Sequence, residues 1–258
     1  MTTPSVAPEE LLHRELARRI LVVDGAMGTL MQAAGLDEAG YRGDRFRDHP
    51  SELKGNHEIL NLTRPDVVEA AHREYLAAGA DIIETNTFNG TRVSQADYGT
   101  EALAREINLE AARVARRAAD RWMGEEEGRA CWVAGALGPT SKTASLSPDV
   151  ADPGKRTIAF DELEEAYHEQ ATGLLEGGAD LLFVETIFDT LNGKAALAAI
   201  ERALEERGRR VPVLASVSIT DLSGRNLSGQ GVEAFWISVS HASLFAVGIN
   251  CALGPAQM

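Results

Sequence analysis

The chain has 258 residues, of which 44% are hydrophobic and 25% charged, an ordinary globular composition with apolar material for one large core or two smaller ones. Its formal charge of -14 argues against nucleic acid or an anionic membrane as partner, because phosphate affinity comes from clustered Lys and Arg, and leaves small molecules or proteins. The amino terminus has no basic start leading into an apolar core, no apolar run approaches the ~20 residues of a membrane span, and the two cysteines, Cys131 and Cys251, make no disulfide framework, so a reducing, cytoplasmic setting is expected.

Pro8 to Arg19 carries Leu11, Leu12 and Leu16 at helical spacing and reads as an amphipathic helix covering one end of the core. Ile20 to Thr29, ILVVDGAMGT, runs four apolar residues into Asp24 and a glycine-rich turn, as a first parallel strand would. Leu30 to Thr63 shows no periodic segment before Ile59, and loops of that length inside a compact domain are usually functional. Pro65 at a first helical position, Val67, Val68, Ala71 and Tyr75 at helical intervals and Gly79 as a stop predict a helix. ADIIETNTF, Ala80 to Phe88, follows as a second strand. Thr100 is placed to cap a long helix over Glu101 to Trp122, and the run Glu125 to Glu127 is a solvated helix terminus. CWVAGALGP, Cys131 to Pro139, is a third strand, and the Ser-, Thr- and Pro-rich Thr140 to Thr157 a second extended loop. Asp161 and Glu164 have capping-box spacing and open a helix to about Glu176. ADLLFVETI, Ala179 to Ile187, is strand four; a helix over Thr190 to Arg207 leads to strand five, Val211 to Thr220. A polar loop from Asp221 to Gly231 and a short helix from Val232 to Ala242 precede strand six, FAVGINCALGP, Phe245 to Pro255, with Cys251 toward its carboxyl end.

Two units echo each other: AGADIIET (Ala78 to Thr85) and GGADLLFVET (Gly177 to Thr186) each have a helix-ending glycine, Ala-Asp, an apolar run and Glu-Thr. The second run is longer by two residues, so with side chains alternating at period 2, Glu84 and Glu185 keep the same facing relative to their Asp. Continuous apolar strands separated by helices imply a parallel sheet covered by helices. Polar residues just after each strand, Asp24, Asn86, Thr140, Glu185, Asp221 and Cys251, favour a (β/α)8 TIM-type barrel, in which many strand ends converge on one site. Only about six of eight strands can be counted, so the α/β barrel is expected to be incomplete, with open edges.

VVDGAMGTLMQ (Val22 to Gln32), GNHEILNLTRPDVV (Gly55 to Val68), ADIIETNTF, LGPTSKTASLSPDV (Leu137 to Val150), ADLLFVETIFDTLN and GINCALGP together resemble the amino-terminal homocysteine-binding barrel of cobalamin-dependent methionine synthase. They span nearly the whole chain in order and include loop residues that core packing would not dictate. The resemblance implies a homocysteine S-methyltransferase domain over residues 1–258, truncated at the carboxyl end, with no cobalamin, folate or activation domain. In that family three cysteine thiolates bind one zinc, which activates the homocysteine thiol. Cys251 matches the first, and the adjacent pair of the Gly-Gly-Cys-Cys-Gly motif is absent here. The resemblance assigns the substrate ammonium to Asp24 and Glu185 and its carboxylate to backbone amides of Gly25, Ala26 and Met27, with Asn86 and Thr87 as weaker wall residues beside Glu84. Methylcobalamin is the implied donor, carried by another domain or chain, so cobalamin- and folate-binding domains, or a chain supplying the rest of the barrel, are possible partners.

Two rival readings stand beside it. One keeps the enzyme class and changes the donor to betaine or S-methylmethionine. The other is an inactive fragment, or half of a split protein whose partner supplies strands seven and eight. Cys131, at the start of strand three, reads as packing, and His57 as a hydrogen-bonded structural residue at least as readily as a metal ligand or proton shuttle.

Overall fold

Five of the apolar runs pair into one parallel sheet: β1 (Ile82–Glu84), β2 (Trp132–Leu137), β3 (Leu181–Ile187), β4 (Val213–Val217) and β5 (Ala246–Ile249), neighbours in chain order. The computed structural model describes residues 8–126, 129–220, 222–254 and 256–258. The helices are α1 (Pro8–Leu16), α2 (Met27–Ala33), α3 (Glu38–Arg42), α4 (Leu60–Thr63), α5 (Pro65–Ala78), α6 (Arg92–Gln95), α7 (Ala104–Glu125), α8 (Phe160–Gly177), α9 (Thr190–Arg207) and α10 (Val232–Val239). Spatial order equal to chain order is the wall of a barrel, because a doubly wound sheet reverses its order at a switch point. The architecture is therefore α/β, an incomplete TIM-type barrel. No helix among the described residues is long and apolar enough to cross a membrane.

The first expected strand is present only in part. Val22 O accepts Asp81 N (2.8 Å) and Ile82 N (3.1 Å), Asp24 N donates to Ile82 O (2.9 Å), and Val23 forms a single parallel bridge to Ile82. The ladder then stops, because the Asp24 carboxylate takes the Glu84 N–H (3.0 and 3.1 Å). The sixth expected strand ends early, at Ile249, where Cys251 and Ala252 turn to φ 61°.

The echo is a structural device used twice. Gly79 (φ 109°) and Gly178 (φ 102°) close α5 and α8 in left-handed conformations. Ala80 N and Ala179 N reach back to Tyr75 O and Leu174 O, while the glycine amides bond Leu76 O and Leu175 O, the Schellman arrangement that satisfies a helix's last carbonyls. The next residue in each unit, Asp81 or Asp180, accepts a backbone N–H from the preceding strand segment, Val22 (2.9 Å) or Val133 (2.9 Å). Each also pairs with an arginine, Arg19 (2.7 and 2.9 Å) or Arg116 (2.6 Å). The aspartates thus stitch strand starts together while the glutamates three and five residues on lie at the opposite end.

Inside the sheet, Ile82, Trp132, Ala134 and Leu181 pack with Leu12, flanked by Phe183, Leu214 and Phe245. Because these residues sit at strand starts, α1 plugs the amino-terminal end of the barrel, as its spacing predicts. On the outer face the largest core lies between β2–β4 and α8, α9 and α10. Gly177 permits close approach there, since a Cβ would meet Leu109 O at 2.4 Å.

Three expectations change. The stretch Leu30 to Thr63 holds α2, α3, a 3-10 turn (His57–Ile59) and α4; each is too short for periodicity to register. Thr100 does not cap α7: its hydroxyl bonds Gln95 O (3.1 Å) and Oε1 (2.8 Å), and α7 starts at Ala104 after a 3-10 turn. Nor does Asp161 open α8; Ala159 is the N-cap, and Glu162 reaches back to its amide (2.9 Å). Thr140 to Thr157 is an extended loop as expected, pinned to α9 by Ala144 N to Asn192 Oδ1 (2.9 Å) and Ser145 to Asp189. Glu127, Asp221 and Pro255 lie outside the described residues.

Both sheet edges are open. Ile20 is 86% and Val22 53% exposed on one side, and Val247 is 41% exposed on the other, where it borders a groove with Trp236 of α10. Unpaired parallel edges with apolar side chains template association. Size-exclusion chromatography of the isolated chain is expected to show self-association that grows with concentration, reduced by V247K. A monodisperse monomer across the whole range would contradict this.

Candidate active site

Asp24, Glu84, Glu185, Asn250 and Cys251 come together at the carboxyl ends of the strands. Glu84 ends β1, and Glu185 lies in β3 just before Thr186 leaves the ladder, where the β3–β4 register shifts between Val184 and Ile187. The Glu84 and Glu185 carboxyl groups hydrogen-bond each other, as their common facing predicts. That contact requires one of them to carry a proton.

Burial raises all three acids, and neighbouring charge adds to it at Asp24 and Glu84. Burial pushes Asp24 up to about 8, with the Glu185 charge adding to it and the Glu84 N–H opposing it. Glu84 is held well above the usual carboxylate range by burial and by the charges of Glu185 and Asp24. Glu185 is raised by burial to about 7, tempered by hydrogen bonds from Glu84 and Thr186. The Glu84–Glu185 pair therefore shares one proton. No cationic side chain among the described residues compensates the trio.

At the turn after Asp24, Ala26 is the N-cap of α2 and makes no side-chain cap, which leaves first-turn N–H groups available at the mouth. Gly25 packs against Tyr75, whose Oη would lie 3.2 Å from a Cβ placed there. Asn86 and Thr87 are buried and turned to other work. Asn86 Nδ2 donates to His57 O (2.8 Å), and Thr87 Oγ1 donates to Ala136 O (2.7 Å). His57 Nδ1 meets the Tyr41 hydroxyl at 2.9 Å, a structural hydrogen bond. Burial pushes the Cys131 thiol up to about 12, so it stays protonated.

Cys251 is exposed and supplies one sulfur. Asn250 Nδ2 (3.6 Å) and Thr186 Oγ1 (3.8 Å) donate to it. Among the described residues no group of three or more His, Cys, Asp or Glu is placed to hold a metal, whereas a zinc site normally takes four donors. The donor set here does not fit a complete zinc site.

Sequence reasoning passed over Ser216 and the role of Asn250. Ser216 Oγ donates to Asn250 Oδ1 at 2.7 Å. Its signal was available: Ser216 and Ser218 alternate at period 2 within the apolar run VLASVSI, marking a polar inner face near the strand end.

The model of the homocysteine S-methyltransferase family matches residues 21–258. Among solved structures, the chain is similar to the metallated form of the homocysteine methyltransferase MmuM from Escherichia coli, at 22% identity over 93% of this chain and 77% of that chain, with a TM-score of 0.70. The apo form matches at 21% identity over 94% and 76%, with a TM-score of 0.65, and the oxidized form at 18% over 97% of each, with a TM-score of 0.62. At these identities the structural likeness carries the fold.

Acids whose folded-state pKa lies above the unfolded value bind extra protons when folded, so their favourable contribution is present at low pH and is lost as pH rises through the folded pKa. For Asp24 and Glu185 that window runs from the ordinary carboxylate range to about 8 and about 7. Melting temperature is therefore expected to fall between pH 5 and pH 9, roughly the span bracketing those values. E185Q should raise it more at the alkaline end than at the acid end, measured by calorimetry. An equal shift at both ends would remove the charge account.

Proposed function

This chain belongs to the homocysteine S-methyltransferase family, and on that premise we propose that its barrel mouth binds homocysteine and presents the sulfur for methylation to methionine. The observation that carries the reading is the carboxyl trio without a countercharge. An ammonium group entering between Asp24, Glu84 and Glu185 replaces mutual repulsion by charge-assisted hydrogen bonds. It would also displace the shared proton. The backbone amides of Gly25, Ala26 and Met27, in the turn leading into α2, offer N–H groups to the substrate carboxylate, which orients the amino acid with its thiol toward Cys251. Asn86 and Thr87 serve behind the mouth, holding the segment after β1.

In the transfer the thiol loses its proton, a sulfur–carbon bond forms to the methyl group, and the bond between methyl and donor breaks. A free thiol near pKa ~8.5 is only a few per cent ionised at neutral pH, so activation is needed. We propose Cys251 as the one zinc donor of this chain.

The donor is a separate question. The loops GNHEILNLTRPDVV and TSKTASLSPDV resemble the cobalamin-dependent branch and support methylcobalamin brought by another domain or chain. The MmuM structures are of a homocysteine methyltransferase, which bears on the acceptor alone, so betaine or S-methylmethionine fits it equally. The open edges of the sheet support a partner that supplies further barrel strands.

Calorimetric titration of the reduced protein with L-homocysteine is the test. Binding is expected in the wild type, weakened about tenfold or more, roughly 1.4 kcal/mol per decade, by D24N and by E185Q. A flat titration of a folded wild type would sink the reading. With binding in hand, methionine formation from methylcobalamin, S-methylmethionine or betaine assigns the donor. Zinc content of the isolated chain should fall well below one per chain; one zinc in a monomer would overturn the donor count.

A further inference from the structure

The two echoed units part company at their threonines. In the first, Thr85 N stays in the ladder and donates to Ala134 O (2.9 Å). In the second, Thr186 sits at φ 57°, and its amide is taken by the Asn250 side chain, Thr186 N to Oδ1, at 3.1 Å. A left-handed conformation is unfavourable for a β-branched residue, whose Cβ crowds the backbone there. Something must hold it there.

Asn250 uses every part of its amide. Oδ1 accepts from Thr186 N and from Ser216 Oγ (2.7 Å). Nδ2 donates to Thr186 Oγ1 (2.8 Å), to Glu185 Oε2 (3.4 Å) and to Cys251 Sγ (3.6 Å). Its own N–H remains in the sheet, bonded to Val217 O (3.1 Å). One side chain at the end of β5 therefore reaches across β4 to the bulge of β3. Among the described residues, the non-glycine positions with positive φ are Thr186, Cys251 and Ala252, the first bonded to Asn250 and the other two directly after it. Strain gathered around one satisfied amide points to a geometry maintained for use.

We infer that Asn250 is a positioning residue: it locks the β3 bulge and fixes the direction of the Glu185 carboxylate, and through Glu185 it sets the affinity for the substrate ammonium. This rests on the homocysteine reading above. Glu185 cannot be aimed by the ladder, because the register breaks beside it. Nor can its bond to Glu84 fix it, since an ammonium group would break that bond. The Asn250 contact survives substrate entry.

The test is a double-mutant cycle read by homocysteine titration on the reduced, full chain, with thermal melts to confirm folding. N250A is expected to weaken homocysteine binding about tenfold and S216A about threefold, as loss of one to several aligning hydrogen bonds does. In an E185Q background both losses should shrink to within about twofold, because coupled residues are not additive. A loss of the same size in the E185Q background would overturn the inference, as it would show Asn250 acting elsewhere. Wild-type binding by a folded N250A would overturn it too. If N250A fails to fold, S216A alone carries the comparison with the same criteria. Wild type that does not bind homocysteine is a different failure: it removes the substrate reading, and the positioning role with it.

Discussion

Three carboxyl groups packed without a cation govern this structure. At neutral pH such a trio resists full ionisation, and here the constraint is met by protonation and by fixed donors rather than by a lysine or arginine. Glu84 and Glu185 share a proton, the Glu84 amide caps Asp24, and Asn250 and Thr186 donate toward Glu185 Oε2. Each contact also decides a backbone path. Asp24 ends the first strand pairing by replacing a carbonyl with a carboxylate, and the Asn250 amide extracts Thr186 from β3. Local geometry at the mouth is therefore electrostatic in origin, and the strand ends are irregular because the acids are there.

The opposite end shows what the same chain does with acids that have partners. Asp81 and Asp180 each meet an arginine and a strand amide, and burial there is offset: the Arg19 pair and the Val22 N–H hold Asp81 below the ordinary carboxylate range. One repeated βα unit thus places a compensated carboxylate at the strand start and an uncompensated one at the strand end. Paired, the first stabilises the barrel floor. Without a countercharge, the second lies at the carboxyl-terminal face, the end at which barrels of this kind carry their sites.

The repeat behind this division was legible in the sequence, because Gly-Ala-Asp, an apolar run and Glu-Thr recur at Gly79 and Gly178 and period 2 gives the glutamates a common facing, whereas the arginine partners of the aspartates were not. The strands and the plugging helix were legible for the same reason, being long apolar runs or clear helical spacings. What was not legible depends on distant neighbours. The bulge at Thr186 is created by Asn250, 64 residues away, and nothing local to either residue announces it. Helix starts shifted where the expected capping side chain bonded elsewhere, as Thr100 did with Gln95, or where a neighbouring residue took the cap, as Ala159 did at α8. The small helices before Ile59 are held by the core around Met31, Tyr41, Leu53 and Leu60, not by periodicity of their own.

The groups proposed for substrate recognition and the sulfur proposed for thiol activation lie on separate elements of this chain. The proposed ammonium and carboxylate contacts come from Asp24 to Met27, β1 and β3, all backed by buried cores, whereas the sulfur that would contribute to activation is the single exposed thiol at the end of the edge strand β5. Asn250 is the link between them, since its amide touches Glu185 and Cys251 at once. A rigid amide spanning both keeps the distance between bound ammonium and donor sulfur constant even where the sheet edge beside it is unpaired. Rearrangement at that edge, by association or by further strands, would then reach the binding carboxylates through one residue, Asn250, whose amide bonds both Glu185 and Cys251.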